Sequence, residues 1–133
     1  MKIIIIDDNP VFRAGFGYYL QKKMKYDVVA SYGDGMKFLD EKLYMDSDII
    51  VLMDVDMPGM DGIEATKRAL WRASFVKIIA ITAFREKAYL LELIGAGCKG
   101  CVFKDNIYDD LETAIKEVIA GRLYFPDNIK LQY

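Results

Sequence analysis

Histidine is absent from all 133 residues. That removes imidazole metal ligands, serine–histidine triads and any acid–base step carried by an imidazole. Cysteine is scarce, with Cys98 and Cys101 forming a single Cys-x-x-Cys. A thioredoxin-like pair would stand at a helix start after the first strand, whereas this one leads into a late strand. The two thiols therefore read as reduced side chains packing as small hydrophobes. No block of Lys and Arg is dense enough for a nucleic-acid face, and the net charge is only −2. No apolar run approaches the roughly 20 residues that a membrane helix requires. Met1-Lys2 leads into four isoleucines and then two acids, too short for the apolar core of a signal peptide. A cytoplasmic location is the expectation. Repeats, low-complexity tracts and internal linkers are also missing.

What is present is a core-forming composition, 53% hydrophobic and 13% aromatic. At this length it suits one domain with a sizeable interior. The chain is organised around Ile49-Ile50-Val51-Leu52-Met53-Asp54-Val55-Asp56-Met57-Pro58-Gly59-Met60-Asp61-Gly62. Five apolar residues predict a strand buried on both faces. Asp54 stands where that strand emerges, and Pro-Gly and Asp-Gly then turn the chain back. A lone Asp there would most often just end a strand and cap a turn. Two distant segments change the weighing. Ile3-Ile4-Ile5-Ile6 runs into Asp7-Asp8, and Lys99 to Phe103 ends at Lys104. Acids and a lysine gathered at strand ends suit a divalent cation and a phosphoryl group, since open α/β sheets place their chemistry there.

In order, residues 2–6 predict a strand, and Asn9-Pro10 starts a helix to about Lys23, with Phe12, Phe16, Tyr19 and Leu20 facing the core. Residues 27–31 predict a second strand. Met36, Leu39 and Leu43 mark a second helix after the Gly33-Asp34-Gly35 turn. Residues 48–53 form the third strand, followed by a helix with Ile63, Leu70 and Trp71 on one face. Residues 77–81 predict the fourth strand, ending at Thr82-Ala83. Ala88 and Leu91 mark a fourth helix, closed by Gly95-Ala96-Gly97. Residues 99–103 give the fifth strand, and Leu111, Ile115, Val118 and Ile119 stripe a fifth helix ending at Gly121. Five strands alternating with five helices predict a doubly wound, parallel α/β sheet.

These residues resemble the receiver domain of two-component response regulators, over roughly residues 1–121. The likeness rests on Asp7-Asp8, on Met-Asp-x-Asp-Met-Pro-Gly-Met-Asp-Gly around Asp54, on Thr82-Ala83 and on Lys104. It implies a flavodoxin-like (CheY-like) five-stranded sheet of order 2-1-3-4-5. It implies that Asp54 accepts a phosphoryl group from a sensor histidine kinase, the chain catalysing only its own phosphorylation and dephosphorylation. Asp7, Asp8 and Asp54 would hold Mg²⁺ through carboxylates, directly or through water, and Asp56 through its backbone carbonyl. Lys104 would pair with a phosphoryl oxygen and Thr82 would turn its hydroxyl toward another.

The ending of the fifth helix and the Gly-Arg-Leu-Tyr-Phe-Pro tail resemble receivers of the NarL/LuxR subfamily. Residues 122–133 would then begin a linker to a helix-turn-helix DNA-binding domain, and a phosphorylation-dependent homodimer is among the implied partners. The family's usual aromatic residue three positions before the lysine is here Cys101, so switching should show mainly in loops and the fourth helix. The resemblance implies that Asp56 and Phe84 occupy positions that flank the path of hydrolytic water in the family. Three alternatives stand beside this reading. One is a stand-alone or never-phosphorylated receiver acting as a docking module. Another is a haloacid-dehalogenase-like phosphatase using Asp54-Val55-Asp56, and the third is a flavin module on the same fold.

Overall fold

The computed structural model describes residues 1–57 and 59–126. Pro58 and residues 127–133 of the expected linker lie outside them. Five strands, β1 (Lys2–Ile6), β2 (Asp27–Tyr32), β3 (Ile49–Asp54), β4 (Lys77–Thr82) and β5 (Gly100–Phe103), form one sheet of order β2-β1-β3-β4-β5. Every pairing is parallel, with one register irregularity between Ile3 and Ile4 against β2. The predicted flavodoxin-like order is the observed one.

Alternation along the strands supplies two core layers. Ile3, Ile5, Ile50, Leu52, Ile79, Ile81 and Val102 join Phe16 and Leu20 of α1 (Pro10–Lys22) and Leu111, Ile115 and Val118 of α5 (Ile107–Ile119). The opposite set, Ile4, Ile6, Val51, Met53, Ile78 and Ala80, packs beneath α2 (Gly35–Glu41), α3 (Gly62–Arg72) and α4 (Lys87–Ala96). All six residues of β3 are buried, as a central strand of a parallel sheet requires.

Local chemistry sets the helix ends. Asn9 Oδ1 accepts from the backbone N–H of Val11 at 3.0 Å and of Phe12 at 3.1 Å, with Pro10 at the first helical position. Asp34 and Asp61 cap α2 and α3 in the same way. Gly62 opens α3 against the end of β3: a Cβ there would lie 2.5 Å from the Asp54 carbonyl oxygen and 2.6 Å from Val55 Cα. Gly97, at φ 102°, closes α4.

Several predicted faces are corrected. Trp71 is 89% exposed. The buried face of α3 consists of Gly62, Ile63, Ala65, Thr66 and Ala69, small residues that let the helix sit close to the sheet, and Trp71 falls on the far side at about 100° per residue. Helix α2 ends at Glu41 because Lys42 adopts φ 60°, so Leu43 lies in a short 3₁₀ turn and is exposed, as is Met36. Helix α4 faces the core through Leu90, Leu93 and Ala96, whereas Ala88 and Leu91 face outward. Ile119 is exposed at the last turn of α5.

Residues 122–126 return along the sheet. The Cys101 N–H donates to the Tyr124 carbonyl at 2.8 Å and the Tyr124 N–H donates to the Lys99 carbonyl at 3.1 Å, a parallel bridge between Gly100 and Tyr124 at the β5 edge. No helix among the described residues is long and apolar enough to cross a membrane.

Candidate functional site

The carboxyl ends of β1, β3, β4 and β5 converge on one acidic cleft. Each strand is rigid and buried, so the side chain just past its end is held with little freedom. From β1 come Asp7, buried, and Asp8, exposed; from β3 comes Asp54, buried; Lys104 follows β5 in a 3₁₀ turn. Carboxylate oxygens of Asp7, Asp8 and Asp54 all lie within 4.8 Å of one another. Lys104 Nζ stands 3.3 Å from Asp54 Oδ2 and 3.5 Å from Asp7 Oδ2.

One oxygen of each buried acid is fixed by backbone. Asp7 Oδ1 accepts from the Asn9 N–H at 2.8 Å and Asp54 Oδ1 from the Asp56 N–H at 2.9 Å. The Arg13 guanidinium donates to the Asp7 carbonyl at 2.7 Å and so holds the loop. The second oxygens face each other across Lys104. Asp7 Oδ2 is buried and has no hydrogen-bond partner among the described residues. A buried acceptor left so is costly unless something else coordinates it.

The electrostatics follow from this crowding. Burial pushes the Asp54 carboxyl up to about 6 and the Asp7 charge adds to that, while the Asp56 N–H and Lys104 pull the other way. Burial opposes the charge on Lys104, but Asp54 and Asp7 outweigh it and hold the ammonium above its ordinary value. Three acids against one lysine leave an excess of negative charge. An all-oxygen donor set in which Asp7 Oδ2 has only the 3.5 Å ion pair with Lys104 fits a hard divalent cation.

Beside this cleft a second cluster forms on Asp56. Its carboxylate accepts from the Thr82 hydroxyl at 3.2 and 3.3 Å, the Ala83 N–H at 3.0 Å and the Tyr89 hydroxyl at 3.1 Å. Thr82 Oγ1 in turn accepts from the Phe84 N–H at 3.0 Å. Phe84 itself is exposed and meets the Tyr89 ring edge-on at 5.4 Å. The structure thus brings Asp7, Asp8, Asp54 and Lys104 together and turns the side chains of Thr82 and Asp56 toward each other. Tyr89 and Arg13 escape sequence reasoning.

Cys101 is buried in β5 and Cys98 just before it; both are free, and burial pushes each thiol up to about 12. They are packed, protonated side chains, as the sequence reading holds.

A doubly wound parallel sheet of order β2-β1-β3-β4-β5 defines the flavodoxin-like fold class, here with carboxylates and a lysine gathered at its strand ends. The model of the response regulator receiver domain matches residues 3–116, and the chain belongs to that family. It is similar to the transcriptional regulatory protein LnrK of Bacillus subtilis (strain 168), 32% identical over 132 residues that cover 99% of this chain and 60% of that protein. It is also similar to a solved LuxR-family two-component response regulator from Aurantimonas sp. SI85-9A1, with a TM-score of 0.83, 30% identity, and coverage of 96% of this chain and 91% of that one. A solved structure of two RcsB dimers bound to two parallel DNAs matches with a TM-score of 0.84 at 25% identity, covering 97% of this chain and 65% of that one. The chain spans about 60% of the length of LnrK. Its relatives are NarL/LuxR-type regulators, and its family is a receiver rather than an enzyme family.

Proposed function

We propose that this receiver accepts a phosphoryl group on Asp54 from a phosphohistidine of a sensor histidine kinase in the cytoplasm. The observation that carries the reading is the convergence of Asp7, Asp8 and Asp54 on one cation-sized space beside Lys104. A carboxylate oxygen of Asp54 attacks phosphorus. The P–N bond of the donor breaks, its electron pair leaves with the imidazole nitrogen, and that nitrogen is protonated. At neutral pH, above the raised value of its carboxyl, Asp54 is mainly ionised and able to attack.

Asp7, Asp8 and Asp54, with the Asp56 backbone carbonyl, would hold Mg²⁺, which would supply the neutralisation that lets an anionic nucleophile meet an anionic donor. The chain's own contribution is positioning and electrostatics. The Asp56 N–H fixes one Asp54 oxygen and so aims the other. Lys104 balances charge on the phosphoryl oxygens, and Thr82 turns its hydroxyl to one of them. Water later attacks the same phosphorus, releasing phosphate and restoring Asp54.

The added charge, about −1.5 to −2 with strong acceptor oxygens, favours a second arrangement of the loop after β4 and of α4. Residues 122–133 begin the linker to a DNA-binding output domain, and phosphorylation favours a homodimer; a neighbour solved as dimers bound to DNA supports DNA binding and dimer formation by likeness. The test is incubation with Mg²⁺ and acetyl phosphate, followed by intact mass, beside Asp54→Asn. One added phosphoryl group on wild type, absent from the variant and blocked by EDTA, is the expected result. If wild type gains no phosphoryl group and also fails to bind beryllofluoride, the docking-module reading replaces this one.

A further inference from the structure

We infer that the Asp56 carboxylate is an internal latch that occupies the donors a phosphoryl group on Asp54 would need, so that it competes with phosphorylation for Thr82. The inference rests on the acceptor role proposed for Asp54. What carries it is the number and kind of groups aimed at one carboxylate. Thr82 Oγ1 reaches both Asp56 oxygens, at 3.2 and 3.3 Å, and the Ala83 N–H and Tyr89 hydroxyl complete a three-donor cradle. Hydrogen bonds to an ionised acceptor are the strong ones. The Phe84 N–H donates into Thr82 Oγ1, which fills an acceptor position and leaves the hydroxyl proton free to point at Asp56.

The cradle is built rather than incidental. Thr82 is fully buried at the last position of β4. Tyr89 is brought in from α4, and its hydroxyl also lies 3.4 Å from the Val55 carbonyl just past β3. Asp56 is joined to Asp54 from the other side as well, because its own N–H binds Asp54 Oδ1. One residue therefore aims the acceptor through its backbone and withholds Thr82 through its side chain.

The consequence is a population argument. A group that needs Thr82 unlatched binds with an apparent affinity reduced by the fraction of molecules in which Thr82 is free. Thr82 and Ala83 sit at the head of the segment leading into α4, and Tyr89 lies within that helix. Breaking the latch therefore also removes the Tyr89–Asp56 bond, one of the ties between α4 and the loop after β3. This supplies a link between the site and α4 in a chain whose β5 carries Cys101 where an aromatic ring is usual.

The test uses beryllofluoride, which mimics a phosphoryl group on a carboxylate, titrated in Mg²⁺ into wild type, Asp56→Ala, Thr82→Ala and the double variant. The Ala83 amide resonance serves as a readout of the apo state. Asp56→Ala is expected to shift the Ala83 amide before any ligand is added and to tighten beryllofluoride binding at least fivefold. The tightening should vanish in the Thr82→Ala background, because the competition runs through that hydroxyl. Equal or weaker binding by Asp56→Ala, or the same gain with Thr82 removed, would overturn the latch while leaving the acceptor reading intact. No beryllofluoride binding by wild type would instead remove the acceptor reading, and the latch with it.

Discussion

In EDTA at pH 7.5, Asp54→Asn is expected to unfold at a higher urea concentration than wild type, although it removes the residue on which the proposed function depends. Asp54 and Asp7 are both buried and share Lys104, at 3.3 and 3.5 Å. The Asp54 carboxyl stands at about 6, raised first by burial and then by Asp7, against 3.8 in an unstructured chain. Between those two values the folded state binds more protons than the unfolded one, so this group makes stability fall as pH rises through that window. The cost is absent below about pH 3.8 and complete above about pH 6. At about 1.4 kcal/mol per unit it has a ceiling of about 3 kcal/mol. Solvent reaches the cleft past the exposed Asp8 and screens the charges, and Asn gives up the ion pair with Lys104. An expected gain of about 1–2 kcal/mol remains, or roughly 3–8 °C in Tm for a chain of this size. Urea titrations of both proteins at pH 4.5 and 7.5 measure it, and the gain should be smaller at the lower pH. Adding Mg²⁺ should stabilise wild type more than the variant and narrow the gap. A variant no more stable than wild type at pH 7.5, or a gain independent of pH, would refute the charge-crowding argument.

Gly62→Ala should cost at least about 2 kcal/mol in urea unfolding, since its Cβ would meet backbone of Asp54 and Val55 at 2.5 and 2.6 Å; an effect below about 0.5 kcal/mol would show that α3 can shift at no cost. Asn9→Ala removes the side-chain cap of α1 and should lower stability by about 1 kcal/mol, with Asn9→Ser restoring most of it in the same assay. Amide spectra with and without beryllofluoride should change most over residues 83–96, the loop after β4 and α4. Identical spectra over residues 83–103 would mean that switching does not pass through this face.

The fold was legible because its signals are redundant. Four isoleucines before Asp7 and five apolar residues before Asp54 suit strands covered on both sides, and the Asn9-Pro10 cap marks a helix start independently of hydrophobicity, whereas Asp34 and Asp61, read as turn residues, prove to cap α2 and α3. The strand order came from family resemblance, since periodicity carries no information about which strands are neighbours. Helix faces were less legible wherever a large residue was taken as the inner one. Trp71 and Leu91 are exposed because α3 and α4 bury other stripes, Ala65-Thr66-Ala69 and Leu90-Leu93-Ala96. In the site, acids at strand ends announce themselves, because the backbone alone determines where they emerge. The partnership of Asp56 with Thr82 and Tyr89 depends on side-chain direction across three elements, which no spacing rule encodes.

The bridge at Tyr124 bears on how this sheet is finished. Strand β5 lies at an edge of the sheet, and an uncovered edge offers free N–H and carbonyl groups to any passing strand. Here the Cys101 N–H and the Lys99 carbonyl are taken by Tyr124, and Gly100 admits that backbone so closely that a Cβ would lie 3.0 Å from the Tyr124 carbonyl oxygen. Cutting the chain after Gly121 would bare this edge, so residues 122–126 guard it against pairing with a foreign strand.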